Sequence, residues 1–305
     1  MLFRNISLFR FPASVSKRLR NLADDLDSRR LRACGPLELA THGFVSPYGR
    51  DSDVLTHQSG RYTLIALGGE ERLLPGAVIR ETLAQRLAER ATKNPRRPAS
   101  RERKRLKEEV ISELLPHAFI VPTRLMAYVD TEDGWLVVDS ASRSAAERMV
   151  HQLREALGRF PATPAASRES PRTLMTTWLI HGKLPDNLTL GDECELRDPA
   201  ESGAIVRCRR QDLESEEVRE HLRSGKQVFQ LSLCFDDRVE LVLGEDLTIR
   251  KLGFLDIVQD QLDADNVESA QDDVAARFEL MTREQEQLLA GLDEWFGLPR
   301  PDDRD

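Results

Sequence analysis

The sequence has few of the residues and motifs on which many functional assignments depend. Only four of its 305 residues are cysteine and none forms a C-x-x-C pair, which excludes a disulfide framework and favours a reducing, cytoplasmic setting. No apolar run approaches the length of a membrane-spanning helix. Glycine-rich phosphate loops, nucleophile elbows and H-E-x-x-H pairs are missing. We therefore expect no cofactor, no resident metal, no membrane partner and no enzymatic activity.

Aromatic residues make up only 6% of the chain. That content argues against a surface on which the bases of a single strand would stack. A partner that hides its bases inside a double helix does not need such a surface. If the protein binds nucleic acid, the composition favours a duplex.

The N-terminal segment allows two interpretations. Its first 22 residues are basic and contain no acid, which is typical of transit peptides. They contain no uninterrupted apolar stretch, so a secretory signal is not expected. Because Val15, Leu19, Leu22 and Leu26 recur at helical spacing, we favour a first strand and helix of the folded protein.

Two groups of residues could in principle hold a metal ion. Cys34, His42 and His57 have spacings that match no ordinary zinc motif, and structural or surface roles are favoured for them. The second group surrounds an expected hairpin and would suit a metal-dependent nuclease, but its members also fit a turn and a helix cap. This second group consists of Asp130, Asp133 and Asp139.

Charge is distributed unevenly along the chain. The net charge is −8, but residues 256–305 contain 15 acids and four arginines, which leaves +3 on the first 255 residues. Within these, residues 86–107 contain ten lysines and arginines and only two acids. A phosphate responds to charges within about 8–10 Å at physiological salt rather than to the total. The local excess therefore favours a polyanionic partner, although a solvated helix face is the common alternative.

The basic tract is expected to lie on a projecting helical hairpin. Ile79, Leu83 and Leu87 share one face of a first helix, which two prolines end, and a second helix runs from Ser100 to about Leu115. Arginine outnumbers lysine in the tract, and its planar fork matches phosphate oxygens. The candidate phosphate contacts here are Arg96, Arg97, Arg101, Arg103, Lys104, Arg105 and Lys107.

The remaining chain predicts an α+β fold with mixed antiparallel sheets and helices. Strands are expected on either side of Asp133-Gly134, followed by a helix that the capping box Ser144–Glu147 begins. A linker rich in proline, alanine and serine at residues 161–171 marks a domain boundary. Beyond it follow a strand meander and a last amphipathic helix that Thr282 is expected to cap.

A second basic cluster lies in the meander. Arg207 and Arg209 share one face of an expected strand, and Arg210 and Gln211 follow near the loop. Phe119, directly after the helical hairpin, is either a core residue or an apolar contact with a partner subunit. Spacing alone leaves both interpretations of Phe119 open.

Short motifs along essentially the whole chain resemble the RdgC family of bacterial recombination-associated proteins. None of them is a catalytic signature, but their order and spacing make a chance similarity improbable. The motifs are Cys34-Gly35, G-F-V-S-P at 43–47, D-V-L-T-H at 53–57, L-L-P-H-A-F ending at Phe119, V-D-S-A-S at 138–142, R-Q-D-L at 210–213 and F-E-L-M-T at 278–282.

The resemblance implies an elongated, multi-domain subunit with a projecting helical finger, which forms a ring-shaped homodimer around a basic hole. Such proteins bind double-stranded DNA with little sequence preference, associate with the nucleoid and restrain RecA-promoted recombination. By the family pattern, Phe119 makes the finger contact between subunits, and Arg209, Arg210 and Gln211 lie at the base. His117 stands where the family often has arginine, so it is a doubtful DNA contact at neutral pH.

The resemblance also implies a division into domains. Residues 1–74 and 120–165 would form a central domain, 75–119 the finger and 166–265 the base. Residues 266–305 would form an acidic helical segment packed on the central domain. Two other functions stay open: a protein-interaction module whose basic finger docks on an acidic partner, and the metal-dependent nuclease.

Overall fold

The structure is a computed structural model, and it describes residues 2–93, 99–200, 203–255, 258 and 269–302. It confirms an α+β fold with two antiparallel sheets. Within these residues, no helix is both long and apolar enough to cross a lipid bilayer. The helices are α1 (Ala13–Ser16), α2 (Leu22–Asp27), α3 (Gly76–Lys93), α4 (Ser100–Leu114), α5 (Arg143–Leu157), α6 (Pro171–His181), α7 (Glu216–Arg223) and α8 (Ala270–Phe296). The strands are β1 (Ser7–Arg10), β2 (Ala40–Val45), β3 (Thr56–Ser59), β4 (Tyr62–Leu73), β5 (Phe119–Asp130), β6 (Trp135–Val138), β7 (Thr163–Pro164), β8 (Leu188–Arg197), β9 (Ile205–Arg209), β10 (Gln227–Phe235), β11 (Val239–Gly244) and β12 (Ile249–Phe254).

The chain packs as two compact units. Unit 1 comprises Met1–Ser28, Val45–Ala66 and Leu125–Asp305, and unit 2 comprises Arg29–Phe44 and Leu67–Arg124. Strands β4 and β5 each contribute residues to both units. The division into central, finger and base domains stays a prediction.

The first sheet has seven strands in the order β2-β4-β5-β6-β1-β7, and β3 pairs with β4 off this path. Strands β5 and β6 form the expected hairpin, in which Asp130 pairs with Trp135 across the turn at Asp133-Gly134. Gly134 has a φ of +73°, a conformation that glycine adopts without steric cost. Tyr128 and Phe3 are fully buried where this sheet meets helix α8.

The second sheet of unit 1 has the order β12-β11-β10-β8-β9. Helix α6 packs on β10 and on α7, and Val228 N donates a hydrogen bond to the Thr176 hydroxyl on α6. Ile6 and Ile249 exchange backbone hydrogen bonds of 2.8 and 3.0 Å, which join this sheet to the first. Because β9 is the last strand in this order, it is an edge strand, and its cluster of arginines lies at the edge of the sheet.

Two helices begin at other residues than the sequence predicts. Helix α8 starts after Ser269, whose hydroxyl accepts a hydrogen bond from Asp272 N, and Thr282 is buried inside the helix. Helix α5 is capped by Ser142 rather than Ser144. In both cases a serine with extended backbone lies upstream of the predicted cap, and it satisfies the first free N–H groups instead.

Unit 2 is built around the hairpin of α3 and α4. Leu83 and Val110 are buried between the two helices, as helical spacing predicts. At the end of α4, Arg72 Nη1 donates to the carbonyl oxygens of Leu115 and Ala118 at 2.9 and 3.3 Å. These bonds add a charged donor to carbonyl groups at the end of the helix, where Leu115 O also accepts from Ala118 N at 3.1 Å.

Arg238→Ala should lower the free energy of unfolding by about 3 kcal/mol, because it leaves a buried carboxylate unpaired. The Arg238 guanidinium bonds both oxygens of Glu284, whose side chain is only 3% exposed. Chemical denaturation measures the effect. The double variant Arg238→Ala/Glu284→Gln should recover part of the loss, and equal stability of single and double variants would contradict the assignment.

Candidate nucleic-acid interface

The carboxylates of the helical hairpin are mostly engaged within it. Glu113 Oε2 lies 2.6 Å from Arg86 Nη2, and Glu102 pairs with Arg90. Both pairs join α4 to α3. They fix the two helices against each other and engage two of the four acids of α4, which are then not available to its other cations.

The cations of α4 are left largely uncompensated. Arg101, Arg103, Lys104 and Lys107 are exposed, and their side chains have no hydrogen bond or ion pair with any other described residue. Arg105 alone has a partner, since its Nε lies 3.1 Å from Glu109 Oε1 in an i,i+4 pair. Such exposed pairs contribute only about 0.3–0.5 kcal/mol, so a phosphate can displace Glu109 from Arg105. Arg96 and Arg97 lie outside the described residues.

The charge imbalance extends over the whole of unit 2. Its residues include 16 lysines and arginines and nine acids, a net charge of +7, whereas the rest of the chain carries −15. A field of one sign concentrates counter-ions at its own surface and raises the association rate of a polyanion. The positive charge of the chain is therefore concentrated on unit 2.

The base cluster, which is the second basic cluster of Arg207, Arg209, Arg210 and Gln211, has more of its positive charge neutralised by carboxylates than the sequence indicates. Glu195, on β8, is opposite Arg207 on β9, and its Oε2 accepts a 2.6 Å hydrogen bond from Arg207 Nε. Its other oxygen accepts from Arg197 Nε, also at 2.6 Å. Burial raises the pKa of Glu195, but the hydrogen bonds and charges of Arg207 and Arg197 outweigh burial, so the pKa is lower than usual. The Glu195 carboxylate that binds Arg207 is consequently ionised at neutral pH.

The other three residues of the base cluster differ in their surroundings. Arg209 is exposed beside Glu193, its cross-strand neighbour, but Glu193 is bound by Lys251 Nζ at 2.5 Å. Arg210 has a φ of +52° and no side-chain partner among the described residues. Gln211 Nε2 donates to Glu217 Oε2 at 2.8 Å. The structure thus brings the four residues to one edge, where Arg209 and Arg210 are the uncompensated cations.

Phe119 is not a core residue. Its side chain is 81% exposed, and Ile120 and Val121 next to it are exposed as well. Leu73, at the end of β4, adds a further exposed apolar side chain in unit 2. A contiguous exposed stretch of this kind is typical of a contact with another macromolecule. His117 is exposed on the short helical turn before it.

The three aspartates of the nuclease alternative are engaged in structural contacts. Arg61 Nη2 lies 3.0 Å from Asp130 Oδ2 and 2.7 Å from Asp133 Oδ2. Asp139 Oδ1 accepts hydrogen bonds from the backbone N–H of Arg4 and Asn5 at 3.0 and 3.1 Å. Burial raises the pKa of both Asp130 and Asp139.

Cys34, His42 and His57 have separate partners. Cys34 Sγ donates to a backbone carbonyl oxygen 3.3 Å away, and His57 Nδ1 lies 2.6 Å from the Tyr48 hydroxyl. His42 is 3.4 Å from Glu71. In the part of the chain that the structure describes, no group of three or more acidic, histidine or cysteine side chains is arranged to hold a metal.

The known proteins that the chain resembles share one family description. A family model described as "RdgC: Putative exonuclease, RdgC" matches residues 1–298. The "Recombination-associated protein RdgC" of Xanthomonas campestris pv. campestris (strain B100) is 42% identical over 301 residues, 98% of this chain and 99% of the relative. Proteins of the same description from Xanthomonas axonopodis pv. citri (strain 306) and Xylella fastidiosa (strain 9a5c) are each 42% identical over 294 residues, 96% of this chain and 97% of the relative.

Glu195→Gln should destabilise the fold in a pH-dependent way. The low pKa means that the ionised carboxylate stabilises the folded state above about pH 5, and that this contribution is lost as the pH falls through the folded-state pKa. The loss in unfolding free energy caused by the substitution should therefore be largest at neutral pH and shrink below about pH 4. Denaturation at several pH values measures it against Glu279→Gln, an exposed control. A loss that does not depend on pH would refute the ion-pair explanation.

Proposed function

This chain belongs to the RdgC family of recombination-associated proteins, and we propose that it binds double-stranded DNA without sequence preference and thereby restrains RecA-dependent recombination. The observation that carries the proposal is the group of exposed cations on α4 that have no partner among the described residues, namely Arg101, Arg103, Lys104 and Lys107. Arg105, Arg96, Arg97 and the base residues Arg207, Arg209, Arg210 and Gln211 complete the proposed contact set.

Phosphate contacts supply affinity but no sequence information. Specific readout would require side chains inserted into a groove to hydrogen-bond base edges, commonly from one recognition helix. The cations of α4 instead stand on several sides of a helix, where they can neutralise phosphates of any sequence. A DNA-bound protein of this kind would obstruct a recombinase by occupancy, and we assign it to the nucleoid.

We further propose that the protein acts as a homodimer that closes into a ring around the duplex. The exposed position of Phe119 supports a contact between two fingers, because burying such a ring contributes about 1.5–3 kcal/mol for each copy. Two-fold symmetry would also present each basic patch twice. The proposed subunit consists of central, finger and base domains with an acidic C-terminal segment.

The proposal includes no enzymatic activity, although the matching family model carries the words "putative exonuclease". The support comes from the contacts of the aspartates. Asp130 and Asp133 share the cation of Arg61, and Asp139 holds two backbone N–H groups. Mg²⁺-dependent cleavage of DNA that Asp139→Asn abolishes would overturn this part of the proposal.

Reversing the charge of Arg101, Arg103 and Lys104 to glutamate should weaken binding to every duplex sequence alike. For the unaltered protein, six to ten phosphate contacts predict an affinity loss of ~10³–10⁵-fold between 50 and 200 mM salt. In the variant, the slope of log affinity against log salt should become shallower by about 0.9 for each phosphate that the protein no longer neutralises. Fluorescence anisotropy with duplexes of unrelated sequence measures both quantities.

The matched control reverses three exposed cations of unit 1, Lys17, Lys183 and Arg219, and so changes the net charge equally. It should leave most of the affinity intact. An equal loss in both variants would show that only total charge matters, and a flat salt response would refute phosphate binding. Loss of binding to an acidic protein, with DNA binding unchanged, would favour the interaction module instead.

Phe119→Ala should open the ring without unfolding the subunit, because the side chain is exposed in the isolated chain. Light scattering should show weaker association at low protein concentration, and Val54→Ala, another exposed apolar position, should not. At high salt the unaltered ring should stay on closed circular duplex and leave linear duplex, and the variant should leave both. Unchanged association and retention would contradict the role of Phe119.

A further inference from the structure

The edge of strand β8 is only half covered. Strand β9 pairs with β8 from Glu193 to Arg197, and after the left-handed backbone of Arg210 the chain makes one more hydrogen bond to this edge, from Gln211 N to Asp192 O at 3.2 Å. The first part of β8, from Leu188 to Leu190, pairs with β10 on one side. On its other side, in continuation of β9, lies a groove with a volume of about 980 Å³.

The groove begins at the edge of β8 and extends over the open face of the sheet as far as Glu240 on β11. Leu188 and Leu233 line it from the buried side of the sheet, and Thr189 and Ser232 line it from the open side. Residues from both faces can border one groove only where the edge itself is open. Across the groove lie Leu213 and its neighbours in the segment after β9.

The backbone at this edge is oriented for strand pairing. Asp236 N donates to Asn187 O at 2.9 Å, which fixes the phase of the antiparallel ladder between β8 and β10. In that phase the N–H and C=O groups of Leu190 point away from β10. An extended peptide lying in the groove would meet them as the next strand of the sheet.

A bulge shapes the end of the groove. The pairing of β8 with β10 shifts between Leu190 and Cys194, so residues 191–193 all lie opposite Ser232. A side chain at Gly191 would place its Cβ 2.2 Å from the Ser232 Oγ, so this close approach requires glycine. Asp192, within the bulge, is one of the residues that line the groove.

The groove is acidic above an apolar floor. Leu188, Leu213 and Leu233 are buried and form the floor. Four exposed carboxylates border the groove against a single guanidinium, that of Arg210, and the side chains of Asp192, Glu214 and Glu240 have no partner among the described residues. The fourth carboxylate is Asp212, and unit 1 as a whole carries −15. Phosphate is disfavoured in such a field, whereas lysine and arginine are attracted.

We propose that the groove binds an extended, basic peptide segment of a partner protein, which adds as a strand to the open edge of β8. Alternate apolar side chains of the peptide would lie on the leucine floor, and the lysines and arginines between them would face Asp192 and Glu214, which border the groove from opposite sides. Backbone hydrogen bonds to Leu190 would set the register of the peptide against β8, and the carboxylates of the groove would favour a positively charged peptide. This site is separate from the proposed DNA contacts on unit 2, but Arg210 and Gln211 of the proposed DNA contacts on unit 1 border it.

Fluorescence anisotropy of the full chain with a short labelled peptide of alternating lysine and valine tests the proposal. Binding should saturate, and Asp192→Lys and Glu214→Lys should each weaken it about tenfold or more, because each replaces an attraction by a repulsion. Glu279→Lys on α8 makes the same charge change away from the groove and should bind like the unaltered protein. A peptide with glycine in place of valine should bind more weakly.

Four results would overturn the proposal. One is the absence of saturable binding by a protein whose circular dichroism shows it to be folded. Another is equal binding to the groove variants and the control, which would indicate general attraction to the acidic unit. A change in oligomeric state caused by Asp192→Lys without peptide would identify a second copy of the chain as the occupant. A gain of DNA affinity in Asp192→Lys without any loss of peptide affinity would identify DNA as the occupant.

Discussion

The two ion pairs between α3 and α4 determine the electrostatic character of unit 2. Glu102 and Glu113 are drawn to Arg90 and Arg86 across the hairpin, and they are therefore not available to the other cations of α4. The pairs are exposed and contribute little to stability individually. Their effect is to fix the hairpin in a form that leaves most of the α4 cations without partners, and the proposed phosphate binding depends on that.

The second sheet of unit 1 also contains ion pairs between arginine and glutamate, but there they neutralise a candidate DNA contact instead of leaving it free. There Glu195 is largely buried between two arginines, so Arg207 is already satisfied before any ligand arrives. A phosphate must compete with a carboxylate at Arg207, but not at Arg209 or Arg210. Within one chain, similar basic clusters are therefore expected to differ in their contribution to DNA affinity, and cross-strand pairing decides which cation is free.

The distribution of charge between the units separates two proposed activities. Unit 2 carries +7 and offers exposed cations to a polyanion, while unit 1 carries −15 and contains an acidic groove at an open strand edge. Each field attracts one class of partner and repels the other. A single chain could in this way hold DNA on unit 2 and a basic protein segment in the groove of unit 1, with Arg210 and Gln211 at the border of the groove available to either partner.

Periodicity, turn residues and motif order are local or linear signals, and they were enough to predict the α+β class, the helical hairpin, the β-hairpin at Asp133-Gly134 and the family. Local signals did not locate the caps of α5 and α8, where an upstream serine with extended backbone takes the capping position. Three properties became visible in the folded chain alone: Glu195 neutralises Arg207, Phe119 is exposed, and part of the edge of β8 is open. Those properties depend on which strands become neighbours, and pairing between distant segments leaves no periodic trace in either segment alone.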